Sequence, residues 1–147
     1  MSKSVLLEVR DLSVTFDTDG AAVPAVRGAS FTIDRGETLG LVGESGSGKS
    51  VTALSIMQLL PYPKARHPTG SIQFQGRELL GAPESEMQQV RGDRISMVFQ
   101  EPMTSLNPLH TIEKQVNEIL RIHRGLSRAA ARARTLELLH LVGLPEA

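Results

Sequence analysis

The sequence predicts an α/β fold in which antiparallel strands come first, a glycine-rich loop joins a buried strand to a helix, and further helices end the chain. Three observations support this prediction. The first third of the chain alternates apolar and polar residues, as half-buried strands do. Around residues 43–50, an apolar run, a loop rich in glycine and a helical run follow one another. From residue 109 onward, apolar residues recur with helical spacing.

The chain opens with predicted antiparallel strands. Residues 7–16 alternate with one slip at Arg10-Asp11, which predicts a half-buried strand with a bulge. Residues 17–20 have turn chemistry, and the alternation resumes over residues 26–33. We therefore expect antiparallel strands that flank one buried parallel strand.

That buried strand is predicted at residues 38–42, an apolar run that follows a tight connection at residues 34–37. It leads into the glycine-rich loop, and residues 51–60 then predict a helix that Pro61 and Pro63 end. Strand, glycine loop and helix in this order are the context that a phosphate-binding loop (P-loop) requires.

The loop fits the pattern of glycine, four free positions and Gly-Lys-Ser, and its residues are Gly43, Glu44, Ser45, Gly46, Ser47, Gly48, Lys49 and Ser50. Glycines let backbone N–H groups surround a polyphosphate, because no Cβ blocks the approach, and the positive end of the next helix assists. Lys49 would reach the outer phosphates, and the Ser50 hydroxyl suits a magnesium ion. With Val51, these residues form the predicted cofactor-binding site. The alternative is a Gly/Ser-rich turn before an ordinary capped helix.

The rest of the chain adds strands and helices. The predicted elements are, in order, a loop at 61–70, a strand at 71–75, a helix at 83–90 and a second buried strand at 94–100. Thr111 and Ser127 are predicted N-caps of two further helices, and Gly143 ends the second. We divide the chain into a nucleotide-binding core at 1–108 and the beginning of an α-helical subdomain at 109–147.

Composition excludes several classes of function. The 147 residues include 16 basic and 16 acidic ones, so the formal net charge is zero and gives no basic footprint for nucleic acid. The absence of cysteine excludes a disulfide framework and a thiolate metal site. No apolar run approaches the roughly 18 residues of a membrane span. These features predict a soluble chain that does not bind nucleic acid.

Taken together, the chain resembles the N-terminal half of an ATP-binding subunit of an ABC transporter, and most closely the subunits of dipeptide and oligopeptide importers. The stretches that carry the resemblance are residues 12–16, 26–28, 43–60 and above all 95–108. The resemblance implies a truncated ABC ATPase fold, ATP and Mg²⁺ as ligands, and a peripheral position on the cytoplasmic side of the cell membrane. It also implies transmembrane permease subunits and a second ATP-binding subunit as partners, with a solute-binding protein acting indirectly.

The same resemblance implies two further site residues. Phe16 matches the aromatic position that stacks on adenine, and a core strand residue is the alternative interpretation. Gln100 matches the catalytic Q-loop glutamine near the magnesium ion and the attacking water, and its amide can donate and accept hydrogen bonds. A solvated loop glutamine is the alternative there. The segment from about residue 109 corresponds to the family's helical region, which contacts the transmembrane partner.

Three features of the family are missing from the sequence: a buried strand ending in Asp-Glu (Walker B), the Leu-Ser-Gly-Gly-Gln signature and the switch histidine. We therefore expect a fragment that binds ATP without efficient hydrolysis, since phosphoryl transfer depends on positioned groups that orient the attacking water. Two other interpretations stay open. One is a nucleotide-binding module without a transport role, and the other is a different P-loop enzyme such as a nucleotide kinase.

Overall fold

The computed structural model describes residues 4–18, 20–100 and 106–144. These residues form two compact units that divide, along the chain, between Arg91 and Gly92. The first unit contains an antiparallel sheet and two short helices, and the second contains two longer helices. The predicted boundary after residue 108 separates two functions, whereas the boundary after Arg91 separates two compact units. The functional boundary stays a prediction.

Two long strands build the first unit. Strand β1, Val5–Thr18, pairs antiparallel with strand β2, Ala21–Asp34. The predicted bulge at Arg10-Asp11 is confirmed, because the register shifts between Val9 and Leu12 and Asp11 has a φ of 44°. The two strands are longer than the sequence pattern indicates.

Three short strands complete the sheet on the other side of β1. Strands β3, Ala65–Arg66, and β4, Ser71–Phe74, both pair with β1, and β5, Arg77–Glu78, pairs with β4. The strand order is β2-β1-β4-β5, with β3 beside β1. The loop predicted over 61–70 therefore contains β3, whose two residues are too few to produce an alternating pattern.

Two helices accompany this sheet: α1, Lys49–Ile56, and α2, Glu84–Val90. The prediction that the first helix runs to residue 60 is wrong. Gln58 takes a left-handed φ of 48°, and the Leu59 N–H donates to the Leu54 carbonyl, which is the hydrogen bond of a Schellman C-terminus. The core of the unit consists of buried apolar side chains from the sheet and both helical regions, among them Val9, Leu12, Val14, Met57, Ile72, Leu79 and Met87.

The two predicted buried strands at 38–42 and 94–100 are also wrong. Residues 38–42 and 96–99 have no strand conformation, and side chains such as Val42, 91% exposed, and Val98, 97% exposed, lie in solvent. An apolar run that is buried on both faces needs neighbouring strands to supply hydrogen bonds and cover. None of the strands in the described ranges pairs with either run, so the expected parallel strand has no partner there.

The second unit is dominated by α3, Ile112–Arg124, and α4, Arg128–Leu141. Both predicted N-caps are confirmed: the hydroxyl oxygens of Thr111 and Ser127 each accept a hydrogen bond of 3.2 Å from a backbone N–H three residues on. Gly143, with a φ of 86°, follows α4 as predicted. None of the helices in the described residues has the length and apolar character needed to cross a membrane.

Candidate functional site

The predicted phosphate loop turns tightly between residues 43 and 48 and leads directly into α1. Gly46 and Gly48 have φ angles of 79° and 89°, in the left-handed region that favours glycine. The Ser47 N–H donates to the Glu44 carbonyl at 3.2 Å and closes the turn. Glycines at these two positions therefore allow a backbone path that other residues adopt only with strain.

The Lys49 side chain is held by the loop itself. Its ammonium donates to the carbonyl oxygens of Gly43 at 2.7 Å and Glu44 at 2.6 Å, and to the Ser47 hydroxyl at 3.1 Å. An ammonium has three donors, so these three contacts fix the position of the positive charge. No acidic side chain within the described ranges forms an ion pair with Lys49.

Strand β2 lies directly against the end of the loop. A Cβ atom added to Gly48 would lie 2.6 Å from the Ala25 carbonyl oxygen and 3.0 Å from Cγ2 of Val26. Only a residue without a side chain fits this contact. The contact positions the first turn of α1, where both the N–H and the Oγ1 of Thr52 donate to the Gly48 carbonyl.

A cavity of about 460 Å³ opens between the loop and β2. Its lining residues are Pro24, Ala25, Val26, Arg27, Ala29, Leu41, Val42, Gly46, Ser47, Gly48, Lys49 and Thr52. This volume falls in the range of small-molecule sites, about 300–1,000 Å³. Two of the lining residues are cationic and none is acidic, so the cavity favours an anionic ligand.

The predicted site residues fall into four groups in the structure. Gly46, Ser47, Gly48 and Lys49 line the cavity, whereas Gly43, Glu44, Ser45, Ser50 and Val51 belong to the same loop and helix without lining it. Phe16 is half-buried on β1, where it pairs with Val23 of β2 and Ala65 of β3. Gln100 is exposed and belongs to the second unit. The ligand contacts of all these residues stay a prediction.

Residues of β2 are the part of the site that sequence reasoning misses. The P-loop pattern identifies the loop but says nothing about the strand behind it. Five residues of β2 line the cavity and none of them is a predicted site residue: Pro24, Ala25, Val26, Arg27 and Ala29. The available signal was the pair Arg27-Gly28, because a glycine inside a strand pattern indicates a bulge or a close approach of backbone.

A family model matches this arrangement. The model described as ABC transporter covers residues 26–147, which include the phosphate loop and most of β2. The chain belongs to the ABC transporter family. The resemblance inferred from the sequence is therefore confirmed.

Curated relatives of this ABC chain are ATP-binding proteins named for transport of cell-wall or peptide compounds. It is 60% identical over 141 residues to the peptidoglycan transport ATP-binding protein YejF of Agrobacterium fabrum, covering 96% of this chain and 26% of the relative. It is 53% identical over 140 residues to the oligopeptide transport ATP-binding protein OppD of Bacillus subtilis, covering 95% of this chain and 39% of the relative. The chain thus spans well under half the length of these relatives.

Solved structures of ABC cassettes share the fold. The ATP-binding cassette MJ0796, a dimer in a post-hydrolysis state bound to ADP and Pi, matches with a TM-score of 0.78 and 26% identity, over 92% of this chain and 56% of that one. The ATP-binding subunit of another ABC transporter matches with a TM-score of 0.59 and 26% identity, over 96% of this chain and 52% of that one. The predicted fold class, an α/β P-loop core of ABC type with an α-helical part, is confirmed.

Proposed function

We propose that this ABC chain supplies the ATP-binding, energy-coupling part of an importer for peptides or related solutes. The observation that carries the proposal is a phosphate loop whose lysine is held in place beside a cavity with two cations and no acidic residue. The names of the relatives support the solute class, and the ADP and Pi bound to MJ0796 support the nucleotide.

The phosphate chain of ATP would occupy the loop end of the cavity. Backbone N–H groups around Gly46 and Gly48 are close to the positive end of α1, which attracts anions. Lys49 would contribute a full charge from its fixed position. The hydroxyl of Ser50, in the first turn of α1 and exposed, is a hard oxygen ligand of the kind that Mg²⁺ prefers. The metal would neutralise charge on the outer phosphates.

The family resemblance gives proposed roles to two residues outside the loop. Phe16 is half-buried, so part of its ring stays accessible for stacking on adenine. Gln100 presents an exposed amide that would contact the magnesium ion and the attacking water.

The proposed partners are transmembrane permease subunits and a second ATP-binding subunit, with a solute-binding protein acting indirectly. The dimeric state of MJ0796 supports the second subunit. The chain would act at the cytoplasmic face of the membrane, where the permease holds it, and its helical segment from residue 109 onward would contact the permease. Co-purification with permease subunits tests this assignment, and its failure alongside intact ATP binding would favour a nucleotide-binding module without a transport role.

Titration with MgATP tests the nucleotide site. Lys49→Ala is expected to weaken binding roughly 10- to 100-fold, because it removes a full positive charge from beside the phosphates. Lys64→Ala is the matched control, since Lys64 is exposed in a turn and does not line the cavity. Equal affinity of the wild type and Lys49→Ala would remove Lys49 from the phosphate site.

A further inference from the structure

One of the bulges in the long hairpin lies beside the candidate site. Between two paired positions, β1 contributes one residue, Ser13, whereas β2 contributes two, Arg27 and Gly28. Gly28 has a φ of 71°, and its N–H donates to the Ser13 hydroxyl at 3.1 Å. The extra residue in β2 is therefore held by a side chain of β1, which makes the bulge a fixed feature of the strand.

The bulge alters which residues of β2 reach the cavity. In a regular strand, successive side chains point to opposite faces, and a bulge interrupts this alternation and re-aims a side chain. Residues 24–27 and Ala29 all line the same cavity as Lys49. Arg27 is thus a cavity residue on the strand that backs the phosphate loop.

Arg27 also differs from the other arginines on the described strands. Arg10 pairs with Glu8, Arg66 with Asp17, and Arg77 with Glu86. Arg27 is exposed and forms no ion pair or side-chain hydrogen bond within the described part of the chain. Its five N–H donors therefore have no partner within the described residues, and the residue lines the cavity.

We propose that Arg27 is a second cationic residue that binds the phosphate chain of the nucleotide together with Lys49. The inference rests on the proposed function and extends it to a residue outside the P-loop pattern. A guanidinium presents paired donors that match phosphate oxygens, whereas an ammonium acts as a point charge. A polyphosphate carries several negative charges, and the two cations of this acid-free cavity offset part of them.

The test compares variants of the 147-residue chain in two titrations at one fixed ionic strength. MgATP is titrated directly, and inorganic triphosphate is titrated as a competitor of a fluorescent ATP analogue. Arg27→Ala is expected to weaken the affinity for both ligands about tenfold, and Arg27→Lys is expected to lose less affinity. Arg35→Ala is the matched control, because Arg35 is exposed at the end of β2 and does not line the cavity. Circular dichroism checks that each variant is folded.

Four outcomes would overturn the inference. Equal losses in Arg27→Ala and Arg35→Ala would show a general charge effect, and unchanged binding in Arg27→Ala would remove the residue from the site. A loss for MgATP without a loss for inorganic triphosphate would place Arg27 at the base or the ribose. Absence of ATP binding in the wild type would refute the proposed function as well. If Lys49→Ala loses affinity for ATP but Arg27→Ala does not, only the role of Arg27 is refuted.

Discussion

Gly48 is the position where one added methyl group tests the architecture of the site most directly. In Gly48→Ala the new Cβ would lie 2.6 Å from the Ala25 carbonyl oxygen, and the backbone keeps a φ of 89°. A backbone carbonyl oxygen cannot rotate away as a side chain can. The loop and α1 must therefore move away from β2, or the strand must bend.

The expected cost has two parts. An alanine in the left-handed region costs about 1–2 kcal/mol, and an overpacked contact costs about 1–3 kcal/mol more. Gly48→Ala should therefore lower the free energy of unfolding by roughly 2–5 kcal/mol. Gly46 provides the matched control, because its φ is 79° but nothing lies within 4 Å of an added Cβ. Gly46→Ala should cost only the conformational part, about 1–2 kcal/mol.

Urea-induced unfolding followed by circular dichroism measures both variants against the wild type. A third variant, Gly43→Ala, separates the kinds of contact, because its Cβ would meet the Ser47 hydroxyl oxygen at 2.5 Å, the end of a rotatable side chain. It should cost less than Gly48→Ala. Equal losses in Gly46→Ala and Gly48→Ala would refute the close contact between the loop and β2.

Three further predictions concern the framework of the two units. Burial raises the pKa of the Glu78 carboxyl, but hydrogen bonds from Ser71 and backbone amides together lower it below its ordinary value. The stabilisation from this carboxylate is therefore complete above the unfolded pKa and is lost as the pH falls through the folded pKa. Glu78→Gln should lower the free energy of unfolding at pH 7. In a series of urea-unfolding measurements it should match the wild type at the lowest pH. Arg91 donates to the Met57 and Gln58 carbonyls at the end of α1, at 2.8 and 2.9 Å. Arg91→Ala should lower the free energy of unfolding by about 2–3 kcal/mol in the same assay. A loss under about 0.5 kcal/mol would contradict a role in holding the helix end. Thr111→Ala should cost about 1 kcal/mol through the lost cap of α3, and a gain in helical circular dichroism would contradict it.

The features that the sequence predicts correctly are those fixed by a few neighbouring residues. The bulge at Arg10-Asp11 follows from a slip in alternation, and the caps at Thr111 and Ser127 follow from hydroxyl residues placed just before a helical pattern. The phosphate loop is recognisable for the same reason, because its glycines and lysine act on a turn of only eight residues. Structural features that depend only on neighbouring residues can therefore be predicted from a short stretch of sequence.

The failures arise where structure depends on distant partners. The runs at 38–42 and 94–100 have the composition of buried strands, but composition does not supply the neighbouring strands that would bury them. The early end of α1 has another origin: Gln58 adopts a left-handed conformation that glycine usually provides, so its sequence gives no stop signal. The prediction that Pro61 and Pro63 end the helix is therefore wrong.

The cavity combines two kinds of lining that a nucleotide also combines. Its polar end consists of the loop backbone and the cations Lys49 and Arg27, whereas Leu41 and Val42 supply apolar side chains that are 50% and 91% exposed. Apolar surface next to a phosphate-binding loop gains nothing from a free inorganic anion, but it gains from covering an apolar part of a larger ligand. The run at 38–42 therefore contributes to the cavity although it forms no strand, since Leu41 and Val42 are among the lining residues. A cavity with both kinds of lining suits a ligand that has a charged part and an apolar part.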